Sequence, residues 1–310
     1  MAITAKQVKE LREMTGAGMM DCKKALGQTD GDMDKAVEWL RENGLAKAAK
    51  KSGRIAAEGI VAVDVSEDGK TASIVEVNSE TDFVAKNEKF QAYVAEVAAQ
   101  AKTTSAADID AFLAEPWALD TSVTVDEKLK AMIAVIGENM NIRRFAKIET
   151  EGTVVSYIHA GGKIGVLVEA DTANATDAVK ECLKNVAMQI AALNPKYLSS
   201  DDVDAEYKEH EKEILLAQAK NDPKNANKPD EIIEKMITGR LNKELKEVCL
   251  LEQEYVKAEN KENVKKYVES VAKAEGVSIN LKSFVRFETG EGLEKKEEDF
   301  AAEVAAQMGN

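Results

Sequence analysis

Two stretches of this chain match each other without a gap at an offset of 93 residues. Glu58-Gly59 recurs as Glu151-Gly152, Val61 as Val154, Gly69-Lys70 as Gly162-Lys163, and Val75-Glu76 as Val168-Glu169. Each copy reads as a strand, a turn with glycine where φ must be positive, and a return strand. An amphipathic helical pattern follows each, over roughly 88–102 and 177–193. Two unrelated hairpins with common turn residues are the alternative. The ungapped register and the helix after each copy favour repetition, and so predict an α+β fold with a duplicated core. At 310 residues, more than one domain is expected in any case.

The flanks differ from the core. Thr4 and Gln7 form a capping-box pair ahead of Val8 and Leu11. Thr15-Gly16-Ala17-Gly18 and Asp30-Gly31-Asp32 break the pattern, and Asn43-Gly44 reads as a helix stop. Three short helices over 1–55 therefore predict a compact recognition module, ending in a basic linker. Core subdomains are expected over 56–142 and over 143–195 plus 259–290. Between the two parts of the second, residues 196–258 read as two charged helices around the loop Asn221–Asp230, an antiparallel helical hairpin. Ile214, Leu215, Ala217, Ile233, Met236, Ile237 and Leu241 are its expected seam. Residues 291–310 are expected to hold a C-terminal helix carrying Phe300 and Val304.

The formal charge is −14, which disfavours direct binding to nucleic acid or to an anionic membrane. Cys22, Cys182 and Cys249 have no metal or disulfide spacing, and histidine occurs only at 159 and 210. Neither a metal nor a cofactor is expected. Cys22 sits beside Asp21, Lys23 and Lys24 on a helix that looks exposed, and a catalytic thiol there is disfavoured. There is no phosphate loop and no nucleophile elbow, so the chain does not read as an enzyme of a familiar class. No apolar span of transmembrane length and no signal core occur, and a cytoplasmic location is expected.

Four segments carry a resemblance. Leu11–Leu26, Glu80–Asn87 (Glu-Thr-Asp-Phe-Val-Ala-Lys-Asn), Ile136–Arg144 and Asp299–Ala305 resemble, in order, signatures of the elongation factor Ts family. The resemblance implies a guanine-nucleotide exchange factor that binds elongation factor Tu and promotes GDP release. It also implies a UBA-like N-terminal module, a two-subdomain core, a coiled-coil insert and a C-terminal helix. Thr81, Asp82, Phe83 and Val84 are then the working tip, with Phe83 as a wedge near the partner's magnesium site. On residue type alone, Thr81 or Asp82 could cap a turn and Phe83 could pack on its own subdomain. Leu11, Met19 and Met20 are implied partner contacts, or else core of the module. Lys23 is a surface charge or a partner to one. His159 is a turn residue or a contact to another partner domain. Ile136, Met236 and Ile237 are further partner contacts that the resemblance implies. Self-association through the insert or core is compatible with the sequence. A non-exchanging adaptor and an enzyme with an unrecognised site are the other readings.

Overall fold

The computed structural model describes residues 3–173, 175–225 and 228–294. The chain opens with α1 (Ala5–Thr15), capped by the reciprocal Thr4–Gln7 pair and stopped by left-handed Gly16. Helices α2 (Met19–Gln28) and α3 (Met33–Ala49) complete the N-terminal module. Leu11, Cys22, Ala25, Leu26 and Ala36 form its core. Cys22 is thus fully buried, not exposed, and burial pushes its thiol up.

The expected stop at Asn43-Gly44 does not occur, because α3 runs through it. Gly44 serves close approach instead: a Cβ there would lie 3.3 Å from that of Ala134 on the neighbouring helix.

The first subdomain follows. Strands β1 (Glu58–Val65) and β2 (Thr71–Ser79) form the expected hairpin. A single-turn helix α4 (Asp82–Ala85) leads to α5 (Glu88–Thr103). Next come α6 (Ile109–Ala114), a small hairpin of β3 (Pro116–Trp117) and β4 (Asp120–Thr124), and α7 (Val125–Ile136). Strand β5 (Met140–Glu149) then joins the sheet beside β2, giving the order β1-β2-β5. The expected boundary at 142/143 therefore falls inside a strand that belongs wholly to the first sheet. Phe90, Tyr93, Val94 and Val97 of α5 pack on this sheet with Phe112, Trp117, Leu129 and Ile133.

The second subdomain repeats the plan. Strands β6 (Thr153–His159) and β7 (Ile164–Ala170) form the matching hairpin, and α8 (Asp177–Leu193) matches α5. The helical hairpin follows as α9 (Ala205–Asn221) and α10 (Asp230–Val248). Its core is Leu215, Ala219, Ile233 and Ile237, flanked by Leu216 and Leu241. Ile214 and Ala217 lie outside that seam and are exposed. Helix α11 (Val264–Glu275) and β8 (Leu281–Glu288) close the sheet in the order β6-β7-β8. The expected C-terminal helix lies outside the described residues.

The two sheets meet through Val61, Ala72, Ile74, Ile148, Val154, Leu167 and Phe287. At their junction the matched residues bond reciprocally. Val154 donates its N–H to the Gly69 carbonyl at 2.8 Å, and Val61 donates to the Gly162 carbonyl at 2.7 Å. Both glycines have positive φ. A Cβ on Gly162 would also come within 2.9 Å of Ile60, so the turn can close on the neighbouring sheet only as glycine. No described helix is long and apolar enough to cross a membrane.

Candidate functional site

The link between the second strand and the helix differs between the two subdomains. In the second it is the stretch 171–176. In the first it is 80–87, and it carries α4. Thr81 caps α4 through its hydroxyl, which accepts from the Val84 N–H at 3.4 Å. Val84 and Ala85 turn inward and are buried. Phe83 points away from every core and is 81% exposed. Packing on its own subdomain is thereby excluded. Asp82 is half-buried and pairs with Lys86 at 2.6 Å. That bond, ahead of the fields of Lys86 and Lys163, holds the Asp82 carboxyl below its usual range.

An isolated turn of helix is not stable by itself. Here the stem is fixed by the segment after α7, which stops at left-handed Gly137. The Glu138 carboxylate accepts from the Thr81 N–H at 3.0 Å and from its hydroxyl at 2.7 Å. Glu80 in turn accepts from the Asn139 N–H at 2.5 Å. The Asn139 amide donates to the Arg54 carbonyl at 2.7 Å, and Lys51 donates to the Gly137 carbonyl. The end of the N-terminal module, the turn after α7 and the tip are thus tied together. Ile136 sits one residue before this turn, half-buried against the first core.

The turn that carries His159 lies on the same side of the core. Glu58 pairs with Ser79 across the sheet, two residues before Thr81, and its carboxylate holds Lys163 at 2.5 Å. His159 is exposed, and its Nδ1 is 2.9 Å from the Tyr157 hydroxyl.

A family model described as elongation factor TS matches residues 80–291. The chain belongs to the elongation factor Ts family. An elongation factor Ts of Clostridioides difficile (strain 630) is 56% identical over 306 residues, 99% of each chain. That of Clostridium novyi (strain NT) is 53% identical over 307 residues, also 99% of each chain. That of Trichlorobacter lovleyi is 54% identical over 314 residues, 100% of this chain and 99% of the relative. The family match opens at the first residue of the Glu80–Asn87 segment.

The residues singled out from the sequence fall into three groups in this family member. Thr81, Asp82, Phe83 and Val84 form the tip, Ile136 sits beside the turn that supports it, and His159 ends β6 ahead of the turn that holds Lys163. Met19, at 58%, and Met20, at 74%, are exposed where α2 begins, and Lys23 is exposed on the same helix. Leu11 is fully buried in the module core. Ile237 is buried in the helical hairpin and Met236 is half-buried there. Among the described residues, no hydrogen bond or ion pair joins that hairpin to the tip.

Sequence reasoning missed Glu80, Glu138 and Asn139 as a group. The signal was present in Ile136–Arg144 resembling a family signature, but nothing in it reveals which segment it supports.

Proposed function

We propose that this chain is a guanine-nucleotide exchange factor for elongation factor Tu, acting without covalent chemistry in the cytoplasm. The observation that carries this reading is Phe83, a bare aromatic on a one-turn helix whose stem is clamped. A GTPase holds its nucleotide through phosphate-loop amides and a magnesium ion. Phe83 enters beside that magnesium site, Asp82 competes for its polar contacts, and the nucleotide leaves. By linkage, nucleotide rebinding loosens the factor in return, so GTP can replace GDP.

The energetics require more than the tip. Accelerating release about 10⁴-fold takes about 5.5 kcal/mol of barrier lowering. Burying one large apolar side chain contributes about 1.5–3 kcal/mol. Met19 and Met20 therefore anchor the module to the partner, since methionine suits an adaptable surface. Lys23 adds charge there, and Leu11 shapes that surface from within. Ile136 steadies the tip, and His159 contacts a second partner domain. Met236 and Ile237 set the shape of the insert. The module is UBA-like in this reading and the insert a coiled coil.

The test mixes the chain with elongation factor Tu carrying a fluorescent guanine nucleotide. Exchange predicts catalytic acceleration of release. Binding without acceleration would make the chain an adaptor. Phe83→Ala should slow release at least tenfold, with an unchanged circular dichroism spectrum. An unchanged release rate would sink the wedge.

A further inference from the structure

We propose that Glu138 is a positioning residue for nucleotide release, setting the place and rigidity of Phe83 without touching the partner. The proposal rests on the exchange reading above and adds to it the element that makes the tip effective.

Phe83 is 81% exposed, so its own contacts hold it in place hardly at all. Its position is inherited from the stem. At the stem, one carboxylate takes both hydrogen-bond donors of Thr81, the N–H at 3.0 Å and the hydroxyl at 2.7 Å. Charge-assisted bonds of this kind are stronger than neutral ones. The pair also fixes Thr81 rotationally, because two acceptors on one carboxyl plane meet two donors on one residue. Thr81 is the cap of α4, so the clamp sets where α4 begins and which way it points.

Glu138 is itself held from behind. Gly137 turns the chain in the left-handed conformation at φ 91, and Asn139, 2% exposed, is bonded to both Glu80 and Arg54. The clamp therefore has a rigid base. A wedge that is already ordered loses less freedom on insertion than one on a free loop. That gain appears where Phe83 acts, in the release step. Initial capture by the module, carried by Met19 and Met20, does not depend on it.

The test measures release of a fluorescent GDP analogue from elongation factor Tu across a range of factor concentrations. Glu138→Ala should lower the maximal rate about tenfold, equivalent to about 1.4 kcal/mol. The half-saturating concentration should move less than about twofold, because one step is affected and capture is not. Glu138→Gln should recover most of the rate, since its amide oxygen still accepts from the Thr81 N–H. In a Phe83→Ala background the Glu138→Ala loss should nearly vanish, because both changes act through one side chain.

An unchanged maximal rate would overturn the proposal. So would a full additional loss in the Phe83→Ala background, or a raised half-saturating concentration with the maximal rate intact. Should Glu138→Ala not fold, Thr81→Val removes the hydroxyl half of the clamp together with the cap bond from Val84, and must show the same split. The two readings separate cleanly. If Glu138→Ala slows release and Phe83→Ala does not, the tip reading fails. If only Phe83→Ala slows release, the role of Glu138 alone is lost.

Discussion

Glu76 carries a carboxylate at a position with no exposed surface, and its environment explains why it is tolerated. The β2–β5 register shifts between Glu76 and Val77, so two consecutive residues of β5 face one of β2. Consecutive strand residues ordinarily point to opposite faces. The bulge lets both Arg143, at 3.0 Å, and Arg144, at 2.6 Å, reach the same carboxylate. Burial pushes the Glu76 carboxyl up, but the Gly290 N–H, the Asn78 amide and the two guanidinium groups outweigh it and hold it below the usual range. Arg144 also stacks on Phe287 at 4.3 Å and bonds Glu291 at 3.1 Å, which ties the first sheet to the end of the second. Breaking a buried pair costs about 3–5 kcal/mol. Both arginines keep a solvent-facing side, so Glu76→Ala should cost about 3 kcal/mol in chemical denaturation. A loss under about 0.5 kcal/mol, the size of an ordinary surface change, would show the network to be incidental. Caps such as Thr4 were legible in the sequence because their partners lie three residues away. Glu76 was not, since its partners Arg143 and Gly290 lie 67 and 214 positions along the chain.

Among the elements, the helical hairpin is the most separable. Its two ends meet at its base, where the Lys196 and Tyr197 N–H groups both donate to the Val248 carbonyl, at 2.8 and 3.1 Å. Ser200 then bonds Glu252 at 3.2 Å. The hairpin has its own small core of Leu215, Ala219, Ile233 and Ile237, separate from the core under α8. Replacing 209–244 with a short Gly-Ser link, which keeps Lys208 and Val248 at the base, should therefore leave both sheets folded. Loop closure costs little extra for chain ends already held together. The check is thermal unfolding of the excised chain by near-ultraviolet circular dichroism; loss of the cooperative transition would mean that the hairpin props the second subdomain. This element was legible because Pro223, Pro229 and the asparagines between them interrupt two helical patterns. Helix α3 was misjudged, because a glycine reads as a stop when its real use is contact with a helix about ninety residues further on. The stretch from α6 to α7 carries a local signal in the Thr124–Glu127 capping box, but its place against α3 and the first sheet depends on residues elsewhere in the chain.

At the scale of the whole molecule, the two subdomains close on each other through equivalent residues. The 93-residue offset made the repeat legible, and the positions that match are the ones that bond across the junction, Val61 with Gly162 and Val154 with Gly69. How the halves face each other was not legible, because periodicity fixes an element's buried side and not the neighbour that covers it. A shared core of Val61, Ile74, Val154, Leu167 and Phe287 joins the halves, and the Glu76 network adds a pH dependence. Its sign follows from the depressed carboxyl. An unfolded glutamate titrates near pH ~4.3. Above that value the folded state holds the charged form and the full stabilisation is present. As the pH falls through the lower folded value, Glu76 takes up its proton and the contribution is lost. Wild type should therefore exceed Glu76→Gln in thermal midpoint by its largest margin near neutrality. The margin should close progressively below pH ~4.3, where other carboxylates lower both midpoints together. Midpoints of the two chains measured from pH ~7 to pH ~3 across that range check this. A gap of constant size would mean that Glu76 contributes through packing and hydrogen bonding rather than through its charge.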